Sequence, residues 1–356
     1  MGEPDRSTLW RRNIAGNKGI LIMLETDKKR SNSGKSILSN PEDINCIIFH
    51  LVTLFAYGLA FWLYLHPEVA HIQGLWSRIA FVLASAVMLG WISGIDIGVN
   101  FHNHVHRKIF RVPWLNIWFG RLWTFSGGWP SFFWEYAHVT VHHADTLGAT
   151  DWTVPKRRPD NSFENIYWYC LLHWPWRYTI HLWQDFRSGR GGAHVGQKAI
   201  KEFAIFLTLW SIPLLIDPVM SLGLWVLPHY LANVLTMGMG MYVQHIGCVE
   251  ASTEHPYRHS NTFLSPMFNL TMFNIGYHIE HHCYPHIHWS ALPACHKRLK
   301  SDLINDDASI VPFGFFYGAT LFALVAPMQR SHARCDFKAV RHPDYVKPAL
   351  AQEFPS

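Results

Sequence analysis

Three short stretches of this 356-residue chain carry histidines spaced about one helical turn apart. "HNHVH" sets His102 and His106 four apart, "HVTVHH" holds His138, His142 and His143, and "HIEHH" holds His278, His281 and His282. Residues three and four apart share a helix face, so each stretch can aim two or three ring nitrogens at one point. Eight imidazoles converging in this way repel one another when protonated, and when neutral they present lone pairs that need something to bind. A metal centre answers both conditions. One tetrahedral zinc uses at most four of them, so the set implies two metal ions. All-imidazole donors with open positions suit iron, while zinc, copper and manganese also fit the ligand type.

Around these rings, carboxylates are expected to orient them, because a metal-bound histidine donates its other N–H to a carboxylate or carbonyl. Asp96, Asp145 and Glu280 are the candidates, and Asp96 is the most telling, since an acid beside a membrane span is costly unless paired. His104 falls on the helix face opposite His102 and His106 and is placed around the site or at the surface. His286 and His288 follow Pro285, which disfavours a continued helix, and are expected at the rim of the site or in solvent. His50, His66, His71, His181 and His194 read as ordinary core or interfacial residues.

The elements that position these residues must be greasy. Hydrophobic residues make up 49% of the chain and charged ones only 15%, more apolar surface than one soluble core needs. Apolar runs of spanning length cover residues 45–65, 79–99, 200–216 and 222–243, reading as two helical hairpins. Eight Lys and Arg precede the first run, against the single Arg78 between the first two, so the N-terminus and the histidine stretches are expected on the cytosolic side. The aromatic segment from Pro113 to Trp134 is broken by Arg121, two glycines and a proline and reads as interfacial or re-entrant. Residues 310–327 are an ambiguous fifth apolar segment. The expected fold is therefore an all-α integral membrane domain over residues 44–327, with two transmembrane hairpins and a cytosolic helical cap carrying a di-metal site. A disordered basic tail is expected over residues 1–43 and a polar tail over 328–356. The first 41 residues lack a cleavable signal pattern, and the absence of a retention or transit signal favours a bacterial inner membrane over endoplasmic reticulum. The six scattered cysteines argue against a disulfide scaffold, and the uneven net charge of +5 suits an anionic membrane face, not nucleic acid.

Taken together, "HNHVH", "HVTVHH" and "HIEHH" resemble the three histidine boxes of the membrane fatty acid desaturase family, over about residues 44 to 300. The resemblance implies a cytosolic cap holding a non-haem di-iron centre that activates dioxygen and removes hydrogens from an unactivated acyl chain. Relatives commonly add a histidine just after the last span, and "MYVQHIG" supplies His245 there. Met241 stands where some of them place an asparagine, so a water-bridged ligand from that position is not expected. The substrate is then an acyl-lipid, acyl-CoA or acyl-carrier-protein. With neither a haem-domain "HPGG" nor a nicotinamide-binding GxGxxG, the electrons are expected from a separate donor, a ferredoxin or cytochrome b5 type with its reductase. The basic runs Lys156 to Arg158 and Lys297 to Lys300 could receive such a donor or anionic lipid. A lipid hydroxylase or ketolase on the same scaffold is the nearest rival, ahead of a metal transporter or a membrane zinc hydrolase.

Overall fold

The computed structural model describes residues 36–159, 162–314, 318, 331–332, 337 and 340–346. Most of the expected tails at 1–43 and 328–356 lies outside these residues. Among the described residues, four helices are long and apolar enough to cross a membrane: Pro41–Leu65, Leu75–His106, Ala193–Ile216 and Pro218–His245. The first opens on an Asn40 cap whose side chain accepts the Glu42 N–H, with Pro41 in the first turn where no amide is required. Its main helix, Ile44–Leu65, has 22 residues, about 33 Å at the usual rise and enough for a hydrocarbon core of about 30 Å. Phe55, Trp76, Leu83, Val87 and Leu215 turn outward from these helices, as side chains that meet lipid should.

The second and fourth helices run beyond the ends expected at Val99 and Val243. The second passes from Leu75–Ile95 through a π-helical turn at Asp96–Phe101 into His102–His106. The fourth alternates α and π turns and ends on Met239–His245. These two helices are thus rods that carry histidines at their tips. They also approach closely through small residues. A Cβ on Gly94 would lie 2.2 Å from Thr236 Oγ1 and 3.1 Å from the Ala232 carbonyl, and one on Gly90 would lie 2.7 Å from Leu231 Cβ. Glycines four apart let membrane helices bring their backbones together, where dispersion replaces the hydrophobic effect as the main attraction.

The aromatic segment forms the helix Pro113–Gly127, closed by Gly128 at φ 64°, whose amide donates to the Thr124 carbonyl. Trp114, Ile117, Trp118 and Leu122 form an exposed stripe while Trp123 and Thr124 are buried. That one-sided pattern, on a helix of 15 residues, suits a helix lying along the interface.

A cap of short helices and two small strand pairs covers the tips of the rods. Asn261–Phe263 pairs in parallel with Ser309–Val311, and Phe163–Glu164 pairs antiparallel with Ser331–His332. These strands qualify the all-α expectation locally. Within the ambiguous segment 310–327, Ile310 and Val311 form a buried strand, while residues 315–317 and 319–327 lie outside the described residues. The Asn261 amide donates to the carbonyls of Val243 and Ile246, tying the strand to the end of the fourth rod. Leu292–Asn305 buries Leu292, Cys295, Leu299 and Leu303 on one stripe and leaves Lys297 and Lys300 outward.

Replacing Gly94 by Leu forces the two rods apart, and overpacking of this kind costs about 1–3 kcal/mol. The melting temperature of the detergent-solubilised protein should fall for Gly94→Leu. It should not fall for Gly58→Ala, where an added Cβ meets nothing within 4 Å and alanine is the better helix former.

Candidate metal centre

Each histidine stretch reaches the site by a different local device. His102 and His106 ride the tip of the second rod and His245 that of the fourth. The middle stretch is wound as a π turn over Tyr136–His142, in which the His143 amide donates to the His138 carbonyl five residues back. A turn closed at five residues stacks residues five apart, so His138 and His143 face each other with ring centroids 4.6 Å apart. An ordinary α-helix would turn His143 away from His138. The third stretch is the short helix His278–Cys283, which stops at Tyr284, just before Pro285.

Nine ring nitrogens meet in two sets. In the first, Nε2 of His281 lies 2.8 Å from that of His102 and 3.1 Å from that of His143, while Nε2 of His138 lies 3.1 Å from His143 and 2.9 Å from His106. In the second, Nε2 of His282 lies 3.2 Å from both His142 and His278, and His278 lies 3.1 Å from His245. Two nitrogens bound to one metal ion at about 2.1 Å and at a right angle stand about 3 Å apart. The seven separations match that spacing. The quartets His102, His106, His138, His281 and His142, His245, His278, His282 each keep their nitrogens within 4.8 Å of one another. The donor set therefore fits two imidazole-bound metal ions, with His143 beside the first quartet.

The backs of the rings are held. Asp151 Oδ2 sits 2.9 Å from His142 Nδ1, the His259 carbonyl accepts from His245 Nδ1 at 3.1 Å, and Thr146 Oγ1 lies 3.2 Å from His282 Nδ1. Each contact turns the remaining Nε2 lone pair toward the site. None of these partners was singled out in the sequence. Asp151 lies nine residues beyond His142 across a loop, and the signal that could have found it is an acid among threonines in "GATDWT".

The three carboxylates expected in this role are directed elsewhere. Asp96 accepts from Asn100, Trp123 and Ser126 and pairs with His50 Nδ1 at 2.6 Å, with both side chains fully buried. His50 is thus the partner that makes an acid tolerable beside a span. Asp145 accepts from the Thr150 amide and hydroxyl. Glu280 binds Thr262 and His296 at 2.9 and 2.5 Å, because its place in the helix sets it opposite His278 and His282. His104 is buried against Phe101 and Trp123, so its placement at the surface is corrected. His288 is likewise buried, not in solvent, whereas His286 is exposed.

Burial, reinforced by repulsion from His142 and His286, pushes His281 down to about 3. Burial first, then neighbouring imidazoles, also holds His138, His143, His278 and His282 well below the ordinary histidine value. These five rings are therefore neutral donors at physiological pH. On the side of the spans the site borders an apolar pocket walled by Val99, Trp134, Met237, Met241 and Ile275. His102, His138, His142 and His278 also line that pocket.

Four helices able to cross a membrane, with nine converging imidazoles at one end beside an apolar pocket, define an integral membrane protein with a site built for metal. The sequence pattern of the fatty acid desaturase family matches residues 76–314, about two thirds of the chain, and the chain belongs to that family. It is accordingly an oxidoreductase of lipid metabolism. No curated protein and no solved structure matches it.

Two measurements check this site. Below about pH 6.5 the unfolded chain binds protons that the buried rings refuse, so stability is lost as pH falls, by about 1.4 kcal/mol per pH unit for each such ring. The melting temperature of the metal-free protein should drop steadily from pH 7 to pH 5. Asp151→Asn should weaken metal affinity roughly 10–100-fold, with Asp145→Asn unchanged, as read by metal content after dialysis against a graded chelator.

Proposed function

We propose that this chain is an oxygen-dependent desaturase that places a double bond in the acyl chain of a fatty acid or lipid, using two iron ions and external electrons. The observation that carries this reading is the contact between the two imidazole sets and the apolar pocket. His102, His106, His138, His143 and His281 would hold one ion, and His142, His245, His278 and His282 the other. A metal pair supplies the one-electron and dioxygen chemistry that breaking a methylene C–H bond demands and that acid and base side chains lack.

The chain's own residues do the rest. Val99, Met237, Met241 and Ile275 offer an acyl chain an apolar wall and exclude water beside the reacting carbons. Trp134 leans at a tilt against His138, with centroids 4.5 Å apart, and shapes the same wall. Asp151 fixes His142, which lines this wall, while the His259 carbonyl and Thr146 fix His245 and His282 behind it. The substrate head, an acyl-lipid, acyl-CoA or acyl-carrier-protein, stays at the cytosolic interface in this reading. A ferredoxin or cytochrome b5 type carrier approaches the basic faces at Lys156 to Arg158 and Lys297 to Lys300. The N-terminus lies in the cytosol, and a bacterial inner membrane is the favoured setting.

Expression in a host with a simple lipid profile, followed by mass spectrometry of its fatty acids, tests the reading. Desaturation appears as products two hydrogens lighter than their parents. Products heavier by one oxygen would make the protein a hydroxylase instead. His281→Ala should abolish the product while the protein remains in the membrane fraction.

A further inference from the structure

The imidazole sets are approached from a second side. A small cleft of mixed polarity, where Asp43, Asn103, His106, His281 and His288 stand beside Ile287, reaches two histidines that do not line the apolar pocket. Two of its lining residues carry buried N–H donors, Asn103 Nδ2 and Trp289 Nε1, that no protein atom accepts. Buried donors of this kind are the ones that water satisfies. At the cleft, Asp43 Oδ1 and His288 Nε2 lie 2.9 Å apart, both residues buried. The Ser290 amide donates to His288 Nδ1, which leaves the ring to donate from Nε2 to Asp43. This contact joins the turn that opens the first span to the segment just beyond the third histidine stretch.

We propose that this cleft is a port for water and protons, separate from the acyl pocket, and that the Asp43–His288 contact is its closure. The proposal rests on the desaturase reading. In that reaction R–CH2–CH2–R′ + O2 + 2 e− + 2 H+ gives R–CH=CH–R′ + 2 H2O. Two C–H bonds break and a second C–C bond forms, while dioxygen takes two electrons from the carbons and two from a one-electron carrier, and leaves as water. An acyl chain filling the apolar pocket closes that side to polar traffic. Two protons must still arrive and two waters must still leave, and the second cleft gives them a path along which Asp43, Asn103 and His288 offer donors and acceptors.

Azide, a small polar ligand for iron, serves as the probe. The full-length protein is loaded with ferric iron in detergent, a saturating long-chain acyl lipid is added, and azide binding is followed by stopped-flow absorbance. Azide should still bind with the acyl chain present. Asp43→Ala and His288→Ala should each raise its rate at least threefold. Leu292→Trp, which narrows the cleft from another lining position, should lower it at least tenfold at unchanged metal content. Should the tryptophan variant fail to fold, the two opening variants decide alone. Azide binding abolished by the acyl chain, or opening variants that match the parent rate, would overturn the port even if the desaturated product is found. A protein that takes up no metal would overturn the port and the desaturase reading together.

Discussion

Everything in this molecule is arranged around one electrostatic demand. Nine imidazoles are brought to about 3 Å spacing in a buried volume, which is tolerable only while they stay neutral and their lone pairs point inward. Burial keeps protons off His138, His143, His278, His281 and His282, and hydrogen bonds at Nδ1 of His142 and His245 decide which nitrogen faces in. The rods, the π turn and the strand pair in the cap can be understood as solutions to that demand. A soluble protein could bury such a set in its core. Here a membrane supplies the apolar surroundings on one side and the cap encloses the other.

A second buried cluster secures the base of the arrangement. Asp96 gathers His50 from the first span, Trp123 and Ser126 from the interfacial helix, and Asn100 from its own turn. A carboxylate with four donors is a strong tie among elements that lipid alone would leave free to slide. It stands six residues before His102, at the head of the π-helical stretch that leads to it, so the first histidine stretch begins from a fixed platform. On the cap side, Glu280 does similar work: Thr262 and His296 hold it, His296 in turn meets Tyr345 at 2.6 Å, and the third stretch is fastened from behind.

Much of this was legible in the sequence, and the limits have physical causes. The four spans and the histidines that converge could be read from apolar run length and helical spacing, because both are local properties. His245 was singled out through resemblance to a family, supported by its place directly after the last span. The supporting carboxylates were misplaced because adjacency in sequence was used as a guide to adjacency in space. Asp145 is close to His143 along the chain yet turns to Thr150, whereas Asp151 returns to His142 across a loop. The π turn was also out of reach, since the stretch Tyr136–His142 has no glycine or proline to announce a wider winding. Glu280 is the exception that could have been read, because a helical wheel puts it opposite two of its histidine neighbours.

The close approach of the second and fourth rods has a mechanical meaning. One rod carries His102 and His106 and the other His245, so any change in their separation or tilt would be passed directly to the nitrogens at their tips. Gly90 and Gly94 let the two backbones lock against each other, so they move as one body. A bilayer that thickens or thins is then met by tilting of the pair as a whole. The glycine seam isolates the spacing of the imidazoles from the changing thickness of the membrane around them.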